Sequence, residues 1–333
     1  GISATYAARV PMILVEPSAT NLLLYSEEFS NAGWTKVNDV VVTPSSVDAP
    51  DGTTNAFKLS ELQLSDGDYG LSEYLTTTPS TSYTFSAYLK ATSDSDVGKK
   101  VRIRIRRAQG TSISASNHVT LTSEWVRHSV TIDLLSDNTS CWFVLTKDTS
   151  SPTAEQADEC LIYGAQVESG SVSTSYIPTS GSTVTRAADG LAITGSAFSS
   201  FYNQSEGTVY TEAVGRGYFD FNSVFAISDN SFNESIYQRT PSNNQVLVVI
   251  DGGNVQAGLL SSTTPTGTLV RRAGSFKVNN FKGSHDGVDT NSDTSGTIPT
   301  VNRLHIGASA SADNKLNGHI KRLIYWPYHS DSL

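Results

Sequence analysis

The sequence predicts an all-β protein built from two tandem β-sandwiches, and three observations lead to this fold class. Hydrophobic residues make up 38% of the 333 residues and charged residues 17%, while Ser, Thr, Asn and Gly are abundant. Strands favour Val, Ile, Thr and aromatic residues broken by Gly, Asn, Asp and Ser turns, whereas long helices favour Ala, Leu, Glu and Lys. Short stretches of period-2 alternation recur between turn signals, and no long amphipathic helix pattern is found.

The first strand series occupies the N-terminal half of the chain. Residues 101–106 alternate most regularly, which predicts a half-buried strand with Val101, Ile103 and Ile105 facing the core. Strands this short, separated by regular turn signals, are typical of a sandwich or jelly roll. The predicted strands of this series are residues 40–43, 56–60, 82–90, 101–106, 125–132, 141–146 and 161–168.

A shift in composition after residue 169 marks the end of this series. Residues 170–183 are small, polar and interrupted by proline, which predicts a linker or an extended strap over the first module. We therefore divide the chain into a lead segment (residues 1–20), a first module (21–188) and a second module (189–333). The strands of the second module are predicted at residues 207–214, 223–228, 235–239, 245–251, 255–260, 268–276, 303–307 and 320–326.

Net charge and apolar patterning exclude several classes of partner. The formal net charge is −9 and the isoelectric point is about 5.1, which argues against binding nucleic acid or docking on anionic lipid. The sequence contains no run of about 18 apolar residues, so no membrane-spanning helix is predicted. Its first residues show no signal-peptide pattern.

The two cysteines are predicted to be free thiols. A disulfide scaffold needs more cysteines, and a zinc site needs closer spacing with histidine partners. If residues 141–146 and 161–168 form one antiparallel hairpin, Cys141 lies opposite the far end of the second strand, beyond disulfide reach of Cys160.

Several stretches of the first half share the order and spacing of a known module. They are residues 16–30, 34–36, 49–54, 83–90 (YTFSAYLK), 164–168 (GAQVE), 174–179 (TSYIPT) and 184–189. Together they resemble the module of phage and prophage structural proteins known as the phage head spike fibre domain. The resemblance implies a carbohydrate-binding jelly roll, other virion proteins as partners, and a position on the virion surface after assembly in the bacterial host cytoplasm.

The second half carries a separate resemblance. Residues 206–210 (EGTVY), 303–307 (RLHIG) and 316–327 (LNGHIKRLIYWP) resemble parts of a concanavalin A-like or laminin G-like sandwich. The resemblance implies a lectin-like fold and contact with glycans. A fold does not fix a function, so the residues themselves must carry the chemistry.

The chain is predicted not to be an enzyme. Glucanases of the concanavalin A-like fold carry Glu-x-Asp-x-x-Glu on one strand, because a nucleophile and an acid must flank one glycosidic bond. No such string occurs, and Glu212 is alone on its predicted strand. The hydrolase elbow, the zinc-protease helix motif and the phosphate loop are absent, and the six histidines show no metal spacing.

The predicted strand at residues 101–106 supplies the first set of candidate glycan contacts. Sugar rings stack their C–H faces on aromatic rings, and their hydroxyls need planar polar partners. Arg102, Arg104 and Arg106 share the outward face of this strand, and Tyr88 points outward from residues 82–90. If these faces share a sheet, they form a basic aromatic surface that suits uronic or sialic acid units. The alternative is a solvated outer face.

Other aromatic residues form a second set of candidates. Tyr69 lies in the Gly-rich loop at residues 65–70 and Tyr74 lies just after it. Aromatic residues of such rim loops often bind ligands, although tyrosines that pack their own loop are the alternative. The sequence leaves open whether Trp142 or its neighbours face inward. Trp326 and Tyr328 are candidates for seating on the first module.

A structural calcium ion is the one candidate cofactor, and none is required. Glu27 and Glu28 stand near the first strand, where jelly-roll carbohydrate modules often hold calcium. The last strand of the first module has glycine and alanine where such a site wants acidic residues. Asp286, Asp289 and Asp293 form a carboxylate-rich loop, which also contains a plain Asp-Gly turn signal.

These observations favour a virion fibre or spike protein that binds host cell-surface polysaccharide without cleaving it. The rivals are a purely structural spacer or trimerisation module and a polysaccharide depolymerase. A homo-oligomer, with a trimer favoured, is predicted because weak sugar sites gain avidity from repetition. The apolar residues 10–15 are predicted to be buried by a partner chain or the second module, or to form the first strand of the first sandwich. Sedimentation of the intact chain measures this oligomeric state.

Overall fold

The computed structural model describes residues 11–37, 39–62, 70–108, 114–148, 150–216, 223–239, 245–312 and 314–333. It consists largely of antiparallel strands, and the predicted fold class of two β-sandwiches is confirmed. Two compact units are present. We call Ala19–Arg186 the first module, and Ala187–Leu333 together with residues 11–18 the second module. In the described ranges, no helix has the length and apolar character needed to cross a membrane.

Two five-stranded sheets and one short strand pair form the first module. Labels follow chain order, and β1 (Ile13–Val15) belongs to the second module. The strands are β2 (Ala19–Asn21), β3 (Thr35–Lys36), β4 (Val41–Pro44), β5 (Phe57–Ser60), β6 (Leu71–Thr76), β7 (Ser82–Lys90), β8 (Lys100–Arg107), β9 (Ser114–Thr120), β10 (Val126–Asp133), β11 (Ser140–Lys147), β12 (Cys160–Ser169) and β13 (Val184–Arg186). Asp94–Asp96 and Thr153–Glu155 form 3₁₀ turns.

The strand order defines two sheets that face each other across the core. The β7 sheet runs β10-β7-β12-β5-β4 and the β8 sheet runs β3-β6-β11-β8-β9, while β13 pairs with β2. Val101, Ile103 and Ile105 are fully buried, which confirms the predicted inward face of β8. Phe85 and Phe143 join the same core with ring centroids 6.1 Å apart. Each buried side chain of this size contributes about 1.5–3 kcal/mol relative to an exposed one.

The polar stretch predicted as a linker or a strap is a strap on the first module. The Asn21 amide donates to the carbonyl oxygen of Ile177 at 2.8 Å, and the Tyr176 hydroxyl donates to Glu27 Oε1 at 2.9 Å. The strap ends in β13, which pairs with β2. As a consequence, both faces of β12 are buried from Cys160 to Glu168.

The two cysteines are free and buried, as predicted. The hairpin on which that prediction was argued does not form, because β11 belongs to the β8 sheet and β12 to the β7 sheet. Burial raises the pKa of the Cys141 thiol and raises the pKa of Cys160 to about 12. Both groups are therefore inert thiols of the apolar core.

The second module is a sandwich of two six-stranded sheets. Its helix and remaining strands are β14 (Leu191–Thr194), α1 (Gly195–Ser199), β15 (Glu206–Gly215), β16 (Ser223–Ser228), β17 (Ser235–Arg239), β18 (Gln245–Asp251), β19 (Asn254–Leu260), β20 (Val270–Lys277), β21 (Asn280–His285), β22 (Val288–Asp289), β23 (Arg303–Ile306) and β24 (Gly318–Trp326). The β15 sheet runs β1-β24-β15-β20-β21-β22, and the β16 sheet runs β14-β23-β16-β17-β18-β19. Phe225, Phe276 and Phe281 are fully buried in the core between them.

Strand β1 belongs to the β15 sheet although the first module separates it in sequence from every other strand of that sheet. Ile13 pairs with Ile320 and Val15 with Gly318. Val15 is fully buried in a small apolar cluster with Leu316 and Ile320. The lead segment at residues 1–20 is thus not a separate unit in its described part, because its apolar residues complete the second module. Separate folding of the two modules stays a prediction.

Candidate functional site

The outer face of the β8 sheet brings aromatic and basic side chains together in the first module. Tyr74 of β6 lies opposite Trp142 of β11, and Trp142 lies opposite Arg106 of β8. Directly opposed residues of an antiparallel pair hold their Cβ atoms about 4.5–5.5 Å apart, so these three side chains form one row across the sheet. The row places two rings beside a guanidinium group.

The two rings of this row contact each other edge to face. The ring centroids of Tyr74 and Trp142 are 5.1 Å apart at an interplanar angle of 62°, a geometry that aromatic quadrupoles favour. Tyr74 is 44% exposed and Trp142 is half-buried. The pair is therefore a preorganised ledge with apolar area open to solvent.

Three arginines continue the face along β8. Arg102, Arg104 and Arg106 alternate with the core residues and are each half-buried. Residues two apart on a strand are separated by about 6.6 Å, so the three guanidinium groups follow one line. Part of each guanidinium group is buried, because Nε of all three arginines and Nη2 of Arg102 have almost no solvent exposure.

The centre of the face is closed to solvent. Ser72 of β6, Val144 of β11 and Thr146 of β11 point outward by alternation, yet they are 1%, 0% and 2% exposed. Val144 lies opposite both Ser72 and Arg104. The middle of this face is thus covered by neighbouring atoms, and the exposed part of the face lies to either side of it.

A hydrogen-bonded pair, His118 and Asp148, lies next to Arg102 at one end of the arginine line. His118 of β9 lies opposite Arg102, and its Nδ1 is 2.9 Å from Asp148 Oδ1. Burial raises the pKa of Asp148, but hydrogen bonds from Ser150, Ser151 and His118 outweigh it and lower the pKa overall. Asp148 therefore stays ionised and its carboxylate is committed to these partners.

Tyr88 does not share this face, which corrects the predicted Arg–Tyr88 surface. Tyr88 lies on β7 in the opposite sheet, with its ring 5.6 Å from the Arg127 guanidinium and 6.0 Å from the Tyr163 ring. Alternation showed which way each strand faced, but the sheet to which a strand belongs depends on long-range pairing. Tyr69 lies outside the described residues.

Trp142 takes the place that the prediction gave to Tyr88. The sequence left its direction open because Cys141, Trp142 and Phe143 are all apolar. The structure buries Cys141 and Phe143 fully and turns Trp142 outward. The sequence did contain a signal for this direction. Cys141, Phe143 and Leu145 are apolar at every second position, which is the spacing of a strand face that covers a core.

The first predicted carboxylate pair does not converge on one point. Glu27 accepts hydrogen bonds from Tyr163, Tyr176 and Asn55. Glu28 accepts a separate hydrogen bond from Ser180 at 3.0 Å. The carboxylates of Glu27 and Glu28 thus have separate hydrogen-bond partners.

The second predicted carboxylate set is also dispersed. Asp286 accepts from the Arg271 amide, Asp289 lies exposed in β22, and Asp293 accepts from Ser295. Within the described ranges, no group of three or more His, Cys, Asp or Glu is arranged to hold a metal. A structural calcium ion stays a prediction without a site among these residues.

Comparison with known proteins gives structural neighbours and no family. No protein-family model matches the chain, and no curated protein matches it. The xylan-binding domain CBM22-1 of Xyn10C from Paenibacillus barcinonensis is similar at 15% identity and a TM-score of 0.35, over 46% of this chain and 94% of that one. The tandem CBM22-1–CBM22-2 of the same protein gives 11% and 0.35, over 92% and 98%.

A second kind of structural neighbour is a laminin pair. Domains LG4-5 of the mouse laminin alpha1 chain are similar at 10% identity and a TM-score of 0.28, over 94% of this chain and 89% of that one. Similarity at these levels does not place the chain in a family, so the site is interpreted from its own residues.

Proposed function

We propose that this chain is a virion fibre or spike protein whose first module binds an acidic host cell-surface polysaccharide through the outer face of the β8 sheet, without cleaving it. The observation that carries the proposal is the row Tyr74–Trp142–Arg106. The virion location and a trimeric assembly rest on the resemblance of the sequence to phage fibre modules.

The aromatic ledge supports binding of a sugar ring. A pyranose offers an apolar C–H face, and the Tyr74–Trp142 pair offers exposed apolar area that is already held in place. Because neither ring must be ordered on binding, little conformational entropy is lost at this point.

The arginine line supports an acidic ligand. The formal net charge of the whole chain is −9, so three aligned arginines on one face are a local reversal of charge. Guanidinium groups bind carboxylates with two parallel hydrogen bonds, which gives orientation as well as affinity. Uronic or sialic acid units carry such carboxylates.

The distribution of carboxylates supports binding without hydrolysis. Hydrolysis of a glycosidic bond needs two carboxyl groups on either side of it. The outward positions of the described strands β3, β6, β8, β9 and β11 carry no Asp or Glu. Asp148, beside the face, is held by His118, Ser150 and Ser151.

Binding to defined polysaccharides tests the proposal. The probes are hyaluronan, polygalacturonate and polysialic acid, with dextran as a neutral comparison, measured by calorimetry on the intact chain. We expect at least one acidic probe to bind, with affinity that falls as salt rises because the contacts are ionic. Trp142→Ala and Arg102→Gln are each expected to weaken it at least about tenfold, or about 1.4 kcal/mol.

Tyr88→Ala is the matched control, since Tyr88 is an aromatic residue of the same module on the opposite sheet. Its affinity for the acidic probe should equal that of the unchanged chain. Binding of dextran alone would contradict the proposal, and no binding at all would favour the structural spacer. Release of reducing ends would favour the depolymerase.

A further inference from the structure

The second module has its own arrangement of outward aromatic residues, on the outer face of the β15 sheet. Thr208 of β15 lies opposite Trp326 of β24 and Ser275 of β20. One row along, Tyr210 lies opposite Ile324 and Ala273. The alternating positions Val209 and Tyr325 face the core, which fixes the outward direction of Tyr210 and Trp326.

These residues surround a depression of about 260 Å³. Its lining consists of Thr208, Tyr210, Ala273, Trp326, Tyr328, Ser330, Ser332 and Leu333, with the strand residues Tyr210 and Ala273 on the sheet itself. Ala273 is decisive for the shape, because its methyl group leaves open the space that a larger side chain at this position would occupy. Tyr328 is 54% exposed and stands at the rim.

Hydrogen bonds hold the wall of the depression to the sheet. The Thr208 hydroxyl donates to the Tyr328 carbonyl oxygen at 2.8 Å, and the Ser330 amide donates to Ser275 Oγ at 2.9 Å. The Tyr210 hydroxyl donates to Glu212 Oε1 at 3.0 Å, which fixes the Tyr210 ring. The site therefore needs little reorganisation to accept a ligand.

The side chains that line the depression favour an uncharged ligand. The lining side chains end in rings, hydroxyls and the apolar groups of Ala273 and Leu333, and none of them is charged. The nearby carboxylate of Glu212 is 5% exposed and is paired with Lys321 at 2.8 Å and Arg322 at 3.5 Å. The Ser330 hydroxyl donates to the Ser332 carbonyl oxygen at 2.5 Å and keeps its capacity to accept. An uncharged ligand with one apolar face and several hydroxyls fits the ring-lined walls and can donate to this oxygen.

We propose that this depression is a second saccharide site, which takes a single uncharged pyranose ring between Trp326 and Tyr328. Its volume lies just below the range of about 300–1,000 Å³ that suits drug-sized ligands, so one ring is the expected occupant. The site is distinct from the β8-sheet face in both module and ligand charge. A chain with both sites binds a mixed polysaccharide at an acidic unit and at a neutral one.

Saturation-transfer NMR on the intact chain tests this site. The probes are the methyl glycosides of glucose, galactose, mannose and N-acetylglucosamine, each uncharged and a single ring. We expect transfer to at least one of them. Ala273→Leu, which fills the depression, and Tyr328→Ala, which removes an exposed wall, should each weaken that binding at least about tenfold.

Two comparisons separate this proposal from the first. Trp142→Ala should leave methyl glycoside binding unchanged, whereas Ala273→Leu should leave binding of acidic polysaccharide unchanged. Because the Tyr328 side chain is exposed, loss of binding in Tyr328→Ala is not explained by misfolding, and equal melting temperatures verify this. No transfer from any of the four glycosides, or full transfer in Ala273→Leu, overturns the proposal.

Discussion

Glu73 is a carboxyl group in an apolar setting. It lies on β6 between Leu71 and Leu75, on the face that alternation turns toward the core, and it is 8% exposed. Burial raises its pKa to about 7, whereas an ordinary glutamate titrates near pH 4.3. The folded state therefore retains a proton that the unfolded chain loses in mild acid.

This shift predicts a pH dependence of stability. Because the folded pKa lies above the unfolded one, the contribution is fully present below about pH 4.3 and is lost as the pH rises through about 7. Relative to Glu73→Gln, the free energy of unfolding should fall by about 2.5 kcal/mol from pH 5 to pH 8. Urea denaturation at the two pH values measures it.

Glu124→Gln is the control for this experiment, since Glu124 is exposed. Its difference from the unchanged chain should be the same at both pH values. A constant difference for Glu73→Gln as well would show that Glu73 ionises normally.

The same residue shows why part of the fold escaped prediction. Strand β6 was not predicted, because a glutamate at an inward position breaks the apolar alternation of residues 71–76. Trp142 and Tyr74 meet only once β6 is placed beside β11. The aromatic ledge therefore required a pairing that local sequence does not contain.

Strands bounded by turn residues were the elements that the sequence predicted best. Ser223–Ser228, Ser235–Arg239 and Gln245–Asp251 have the predicted bounds. Ser114–Thr120 was missed, because it is an edge strand whose residues are mostly exposed or half-buried and show no apolar period. Periodicity identifies strands that cover a core and not those that only extend a sheet edge.

Strand β12 contains an irregular step whose cause is local. Its register with β7 shifts between Tyr163 and Gln166, and Gly164 in this step has φ of +59°. A Cβ atom at Gly164 would lie 3.2 Å from the Tyr176 ring. The glycine that weakened the case for calcium in the sequence therefore has a structural role, because it admits the strap tyrosine.

Gly164→Ala is expected to destabilise the protein by about 1–3 kcal/mol. The left-handed backbone costs about 1–2 kcal/mol for a residue with a side chain, and the contact with Tyr176 adds to it. Gly190→Ala is the matched control, since Gly190 has open space around it and no left-handed backbone. Equal unfolding free energies for the two variants in urea would contradict this account.

At the scale of the whole chain, the division into two modules was predicted but their connection was not. Composition marked the boundary near residue 189, and the structure divides the chain between Arg186 and Ala187. The structure also divides the chain between Ser18 and Ala19, so that the first module is inserted in sequence between β1 and β14. Burial of this apolar stretch against the second module was one of the alternatives that the sequence left open, and the pairing of Ile13–Val15 with β24 bears it out. Three strand residues are too few for a pattern to choose between those alternatives.

The chain passes between the modules twice, before Ala19 and after Arg186, and a strand pair holds these two places together. Ala19 of β2 lies opposite Arg186 of β13, which places the chain entering and the chain leaving the first module side by side. Directly beyond, the Glu16 amide donates to Asp189 Oδ2 at 2.8 Å, and the Asp189 amide donates to the Glu16 carbonyl oxygen at 3.0 Å. Strand β1 thus returns to the second module without a long connection.

This arrangement predicts how fragments behave. Residues 187–333 alone lack β1, and the loss of Val15 exposes the cluster around Leu316 and Ile320. Joining residues 11–18 to residue 187 through a short Gly-Ser linker should restore the strand, because residues 18 and 187 flank a directly paired position. We expect the joined fragment to gain at least about 2 kcal/mol in unfolding free energy over residues 187–333, from burial of Val15 and its neighbours.

The joined fragment with Val15→Asp is the control, because a carboxylate cannot occupy the fully buried position beside Gly307. It should unfold at the same urea concentration as residues 187–333 alone. Residues 19–186, which contain the strand pair of β2 with β13 and an unbroken core, should fold without any part of the second module. Equal stability of all three second-module fragments would mean that β1 pairs with β24 without supporting the fold, and the second module would then begin at residue 187.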